Sequence, residues 1–197
     1  QITKDYYTSK KGCDYWSSGR DKALKQQAHD DIRRLNDFMD EIKDKIWMEV
    51  GGGVGGMMEL AKDICQESIF VEPQYAPRKF FENNGIETFE RVKDVNRNDI
   101  EISTLFHCFE HFDDPLTTLV DIRNKTINGG KIIIEVPHAK DILIKYFELE
   151  SFKSFTFWSE HLILHTRESL EKFLMFSGFK EIKIYGIQRY PLANHFY

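Results

Sequence analysis

The sequence predicts an α/β fold: a mostly parallel sheet with helices on both faces. Three observations carry this. Between residues 45 and 190, short apolar runs alternate with segments of helical spacing, the pattern of parallel strands joined by crossover helices. A dense glycine turn, Gly51-Gly52-Gly53-Val54-Gly55-Gly56, separates the first apolar run from the helical segment after it. Residues 131–136 form an apolar run of the kind buried on both faces of a sheet.

The elements follow in order. Residues 21–43 read as an amphipathic helix, because Leu24, Ala28, Ile32, Leu35, Met39 and Ile42 recur at three or four. This helix either packs on the domain flank or caps a ligand site. Residues 46–50 read as the first strand and 57–66 as a helix. Residues 68–72 form a second strand, and 75–83 a helix closed by Gly85. A weaker third strand spans 86–92 and a fourth 102–106. Residues 116–127 form a helix, with Pro115 in its first turn and Gly129-Gly130 stopping it. Asp113 and Asp114 are placed to cap it. The segment 139–165 departs from this pattern. It is irregular and aromatic, with Tyr146, Phe147, Phe152, Phe155, Phe157 and Trp158, and reads as a lid or the wall of a hydrophobic pocket. Thr166 then reads as an N-cap, and Leu170, Phe173 and Leu174 as the buried face of a helix ending at Gly178. Residues 179–185 alternate as a sixth strand. The expected division is an N-terminal helical cap at 1–44 and a ligand-binding domain at 45–197, with the lid segment before strand six.

The chain has 197 residues with 41% hydrophobic and 14% aromatic content, enough to bury a core in one domain. The net charge of −5 and the lack of a basic tract argue against a nucleic-acid groove. No apolar run reaches the ~20 residues of a membrane span, and no signal peptide is visible. Cys13, Cys65 and Cys108 are scattered and odd in number, which predicts reduced thiols in a cytoplasmic protein and no metal site. The chain opens on Gln rather than Met, so further residues are expected upstream.

Strand, glycine turn and helix together make a site for a nucleotide-type ligand, since glycine permits close backbone approach and the helix start offers free N–H groups. The turn fits two patterns. Gly51-x-Gly53-x-x-Gly56 matches the dinucleotide fingerprint. Glu49-x-Gly51-x-Gly53-x-Gly55 matches a second pattern, in which an acid precedes the turn. A carboxylate is unfavourable beside a pyrophosphate and favourable beside a sulfonium or an ammonium.

That second pattern resembles motif I of the class I S-adenosylmethionine (SAM)-dependent methyltransferases. The resemblance extends over residues 45–190. Glu72 ends the second strand about 20 residues after the turn, where Rossmann-like domains hold ribose hydroxyls. Phe106-His107-Cys108-Phe109-Glu110-His111-Phe112-Asp113-Asp114-Pro115 resembles the segment after the family's fourth strand. Gly129-Gly130-Lys131-Ile132-Ile133-Ile134-Glu135-Val136-Pro137-His138 resembles its fifth strand, and Trp158-Ser159-Glu160-His161-Leu162 with Thr166 and Leu170 resembles the segment before its last helix.

The resemblance implies SAM as cofactor and S-adenosylhomocysteine (SAH) as product. Glu49, Gly51, Gly53 and Gly55 would hold the methionine end, Glu72 the ribose, and Asp94 the adenine edge. Phe106 and His107 would flank the methyl group. Of the seven histidines, His161, His111, His107 and His138 fall in pocket-lining segments of the family. His161 in the lid, His107 and His111 are the candidates for the base that removes a proton from the acceptor, and no metal is required in principle. Tyr15, Trp16, Arg20, His138 and Trp158 are the candidate acceptor contacts. The Glu-Val-Pro and Glu-His segments resemble a sugar and small-metabolite subgroup, including nucleotide-sugar C-methyltransferases. The chain lacks the Cys-rich region those enzymes carry upstream, and their last strand would begin only at residue 194. The expected function is methyl transfer to a small molecule, a sugar or sugar-nucleotide hydroxyl. The alternatives are an NAD-type dehydrogenase and a catalytically inactive SAM-fold binding protein. The acidic charge and the lack of an Asn-Pro-Pro-Tyr motif after strand four disfavour RNA or protein substrates.

Overall fold

The computed structural model describes residues 6–7, 19–187 and 189. A long helix, α1 (Arg20–Ile42), precedes β1 (Ile46–Val50). The glycine turn leads into α2 (Gly56–Ala61), followed by β2 (Glu67–Val71), α3 (Tyr75–Asn83) and β3 (Glu87–Phe89). Then come β4 (Ile100–Phe106), α4 (Pro115–Lys125) and β5 (Thr126–Glu135). Two short helices, α5 (Ile142–Lys145) and α6 (Glu150–Thr156), precede α7 (Arg167–Phe176). The five strands form one sheet in the order β3-β2-β1-β4-β5, and every pairing is parallel. This is the expected α/β architecture. Among the described residues no helix is long and apolar enough to cross a membrane.

The strands alternate between two cores because successive side chains point to opposite faces. Met48, Val50, Ile69, Val71 and Leu105 face one core with Leu119 and Ile122 of α4 and Leu170 and Leu174 of α7. Trp47, Phe70, Ile102 and Phe106 face the other with Phe38 and Ile42 of α1, Met57 and Met58 of α2 and Phe81 of α3. Glu49 shares Trp47's parity, so β1 directs its carboxylate toward α1 and α2.

Local signals hold at several ends. Asp114 accepts a hydrogen bond from Thr117 N, with Pro115 in the first turn of α4. Thr166 and Ser169 form a reciprocal capping box at α7. Other expectations are corrected. Gly129 and Gly130 do not stop α4, which ends at Lys125; they lie in the early, bulged part of β5. A Cβ at Gly130 would come 2.9 Å from Glu101 O, so this glycine serves the close approach of β5 to β4. The third strand shrinks to three residues, and the helix after the glycine turn ends at Ala61. The lid is ordered partly as α5 and α6. Residues 179–185 form no strand among the described residues. Ile182 and Ile184 instead pack against the core that holds Leu170 and Leu174 of α7.

Gly55 has a packing role. It caps α2 with φ +79, and a Cβ there would sit 2.0 Å from the buried Phe81 ring. Gly55→Ala is expected to cost about 3 kcal/mol or more, combining left-handed strain with overpacking. That corresponds to a fall in Tm of roughly 6–12 °C on thermal unfolding. An unchanged Tm would mean that ring and turn are not in contact.

Candidate functional site

The C-terminal ends of the parallel strands open onto one cleft of about 1690 Å3, which runs from the glycine turn across β4 and β5 to the lid. Such ends are where open α/β sheets bind ligands. Gly51 takes φ +70 and Gly53 φ +56. A Cβ at Gly51 would lie 2.5 Å from the Cys108 Cβ, whereas one at Gly53 would meet nothing within 4 Å. The first glycine therefore lets the turn close against β4, and the second leaves backbone open to the cleft. The Gly53 N–H donates to Glu72 Oε2 at 2.9 Å, and the Gln74 N–H donates to Glu72 Oε1 at 2.9 Å. Burial outweighs these bonds and raises the Glu72 pKa to about 7. Glu49 is raised to about 8, by burial first and by the nearby Asp31 carboxylate second, with Arg34 partly opposing. Its Oε2 is buried without a hydrogen-bond partner. The turn thus gathers buried carboxylates short of positive charge. That suits a cationic ligand and not a pyrophosphate, so these residues fit the sulfonium and ammonium of SAM.

Helix α1 buries charge on the face turned to this cleft. Asp31 is 4% and Arg34 7% exposed, while Ile32 at 52% and Met39 at 39% lie outward. The apolar stripe expected from the sequence is therefore rotated relative to the buried face. The reason lies in the partners. Arg33 Nη2 donates to Glu135 Oε2 at 2.8 Å, and Arg34 Nη2 donates to Glu135 Oε1 at 2.9 Å. Arg34 also stacks over Phe106, 4.9 Å from its ring centre. His107, held at φ +50, places Nε2 3.1 Å from Glu135 Oε1 and Nδ1 3.4 Å from Glu110 Oε1. Burial disfavours its charged form, but the two carboxylates prevail and its pKa is raised. Glu135 is held well below the usual carboxylate range: burial opposes this, and His107 with Arg34 overcome it. His107 thus bridges two acids that favour its charged form, which makes it the poorer base.

The short turn Phe109–His111 and the lid bring a third group together. His111 Nδ1 lies 2.7 Å from Glu160 O, and His161 Nδ1 2.7 Å from Thr156 O. A carbonyl oxygen can only accept, so each ring is a proton donor at Nδ1 and keeps a lone pair at Nε2 when neutral. Those Nε2 atoms lie 3.9 and 4.0 Å from Glu110 Oε1. Burial lowers the His161 pKa, with Thr156 O and Glu110 opposing it, so the ring is neutral near pH 7. Of His107 and His161, whose pKa values move in opposite directions, His161 is the better base; His111 shares the orientation of His161, with Nε2 turned toward Glu110. The Trp158 ring stands edge-on to His161 at 5.8 Å, and the Tyr7 ring edge-on to His111 at 5.9 Å.

The structure gathers Glu49, Gly51, Gly53, Glu72, Phe106, His107, His111, His138, Trp158 and His161 around one cleft. Three expected residues lie elsewhere. Asp94 is exposed on the turn after β3, outside the cleft lining. Gly55 backs onto Phe81. Arg20 binds α1 to its neighbours, with Nη2 2.7 Å from Glu59 Oε1 and its guanidinium 4.0 Å over the Phe80 ring. Tyr15 and Trp16 fall outside the described residues; among the described residues of the N-terminal segment, Tyr7 lines the cleft. Asp31, Arg34 and Glu135 were missed as site residues. Asp31 and Arg34 are two charges among many in a helix, and Glu135 stands out in the sequence only as part of the Glu-Val-Pro segment.

A family model described as a methyltransferase domain matches residues 21–184. No curated protein matches the chain. Solved structures share the fold. A SAM-dependent methyltransferase from Archaeoglobus fulgidus is 21% identical, with TM-score 0.61, over 86% of this chain and 73% of that one. The Haloferax volcanii methyltransferase solved with its Trm112 activator is 13% identical, with TM-score 0.66, over 84% and 75%. A Haemonchus contortus phosphoethanolamine N-methyltransferase bound to SAM is 16% identical, with TM-score 0.61, over 86% and 44%. An acid-flanked glycine turn on this fold and a family match across most of its length lead to one conclusion: the chain belongs to the methyltransferase-domain family, a class I methyltransferase with SAM as its cofactor.

Proposed function

We propose that the protein transfers a methyl group from SAM to a hydroxyl of a small molecule, with a sugar or sugar nucleotide as the substrate class. The observation that carries this is one cleft lined both by the buried, charge-deficient Glu49 and Glu72 and by His161, whose burial favours the neutral ring. When bound, SAM supplies a methyl group already activated by its sulfonium. Glu49 and Asp31 would hold the ammonium end, the Gly51–Gly53 backbone would line the methionine chain, and the Glu72 carboxylate would turn from the Gly53 N–H to the ribose hydroxyls. His161 Nε2 receives the acceptor proton, and Glu110 stabilises the imidazolium that forms. The tight His107–Glu135–Arg34 network fixes the end of β4 and keeps the floor of the cleft rigid. Tyr7 and α1 act as a cap, and the lid from α5 to His161 closes the acceptor side. The sugar assignment rests on the likeness of the Glu-Val-Pro and Glu-His segments to that subgroup.

Calorimetry with SAH and NAD side by side tests this reading. SAH should bind and NAD should not, and Glu72→Ala should weaken SAH by roughly 10–100-fold, the loss of two charge-assisted hydrogen bonds, while the far-UV spectrum is kept. Binding of NAD alone would instead establish a dehydrogenase.

A further inference from the structure

We propose that Glu110, His111 and His161 form a binding site for a first-row divalent cation, and that this cation receives the acceptor oxygen. The second half rests on the reading of the cluster as the acceptor side; the first half does not.

The geometry comes first. One ligand atom from each residue lies within 4.8 Å of the other two, and this is the one group of its kind among the described residues. With Nε2 atoms 3.9 and 4.0 Å from Glu110 Oε1, shifts of a few tenths of an ångström would bring all three to ~2.1 Å from a common centre. The second observation is tautomeric. Both imidazoles are oriented by Nδ1 bonds to backbone carbonyls, Glu160 O and Thr156 O, as the outer partners of metal-bound histidines orient them. The third is the carboxylate. Glu110 is 1% exposed, and the contact of its Oε1 with His107 Nδ1 is 3.4 Å, longer than an ordinary hydrogen bond. A buried carboxylate with unfilled lone pairs is costly, and a cation between it and two imidazoles would fill one. Finally, all three residues line the cleft that holds the glycine turn, so coordination positions remain open toward a ligand.

Two imidazoles and one carboxylate favour zinc, cobalt(II), manganese(II) or iron(II) over magnesium and calcium, which prefer oxygen donors. With the cation in place, His161 Nε2 is a ligand and no longer the direct proton acceptor. The acceptor hydroxyl binds the cation and gives up its proton to water at a lower pKa. Its oxygen lone pair then forms the new C–O bond as the methyl–sulfur bond breaks, and that bonding pair stays on sulfur to leave neutral SAH. A hydroxyl flanked by a second oxygen donor, such as a sugar vicinal diol, would chelate the cation and be preferred.

The test titrates the chelator-stripped full chain with cobalt(II), by visible absorption and calorimetry, with SAH binding measured on the same samples. One cobalt(II) per chain is expected, with ligand-field bands. His111→Ala and His161→Ala should each weaken it by at least about 100-fold with SAH binding retained. Glu110→Gln keeps the volume and serves if an alanine variant does not fold. Cobalt(II) binding without SAH binding would uphold the site and sink the cofactor reading. SAH binding with no cobalt(II) bands, or bands unchanged in all three variants, would overturn the site and leave the cofactor reading standing.

Discussion

Glu49→Gln is expected to make the unliganded protein more stable and SAM binding weaker, and the two effects have one cause. Burial holds the Glu49 pKa at about 8 in the folded chain, against roughly 4.3 when unfolded. The folded state therefore binds the proton more tightly, and stability from that proton is fully present below the unfolded pKa and lost as pH rises through 8. Gln cannot ionise. The difference between variant and wild type should be small near pH 4.5, grow through pH 6–8 and reach on the order of 4 kcal/mol by pH 9. Denaturant melts across that range measure it. In the same variant SAH affinity at pH 8 should fall by about 30-fold or more, since a buried partner of the ligand ammonium has lost its charge. A pH-independent stability difference would show that Glu49 does not titrate in this window. Unchanged SAH affinity would remove Glu49 from the cofactor site.

His161→Ala is expected to reduce turnover by at least about 100-fold, the lower bound for a positioned acid–base group, and to leave SAH affinity within about twofold, since the Nε2 of the ring is turned toward Glu110. In the chelator-treated, cation-free wild type, kcat/KM should rise with pH through a midpoint below the ordinary histidine value, because burial lowers the His161 pKa and only the neutral, unligated ring offers Nε2. The pH profile separates this role from simple support of the lid: loss of packing would lower activity uniformly, whereas loss of the titrating group flattens the acidic limb. Turnover that survives the substitution would exclude His161 from the acceptor site.

These two residues differ in how legible they were. Glu49 could be read from the chain, because an acid two residues before Gly51 is a local fact with a direct electrostatic meaning. His161 could be placed in the lid but not ranked against His107 and His111. The ranking depends on what each ring touches: His107 lies between Glu110 and Glu135, which favour its charged form, while His111 and His161 turn Nδ1 to backbone carbonyls and Nε2 toward Glu110. Glu110 itself could be read only as the residue before a histidine, because its burial beside three imidazoles is a property of the folded chain.

The α/β class, the order of the elements up to β5, the glycine turn and the caps at Asp114 and Thr166 follow from the sequence alone. Periodicity, glycine conformation and side chain-to-backbone bonds act over a few residues, and the chain states them directly. The face that α1 buries, the packing role of Gly55, the displacement of Arg20 and Asp94 from the cleft and the failure of residues 179–185 to join the sheet were decided by tertiary structure. The first three depend on a partner far away in the chain: Glu135 for Arg33 and Arg34, Phe81 for Gly55, and Glu59 for Arg20. A charged residue is buried where its counter-charge is, and only the assembled strand ends bring that counter-charge to it.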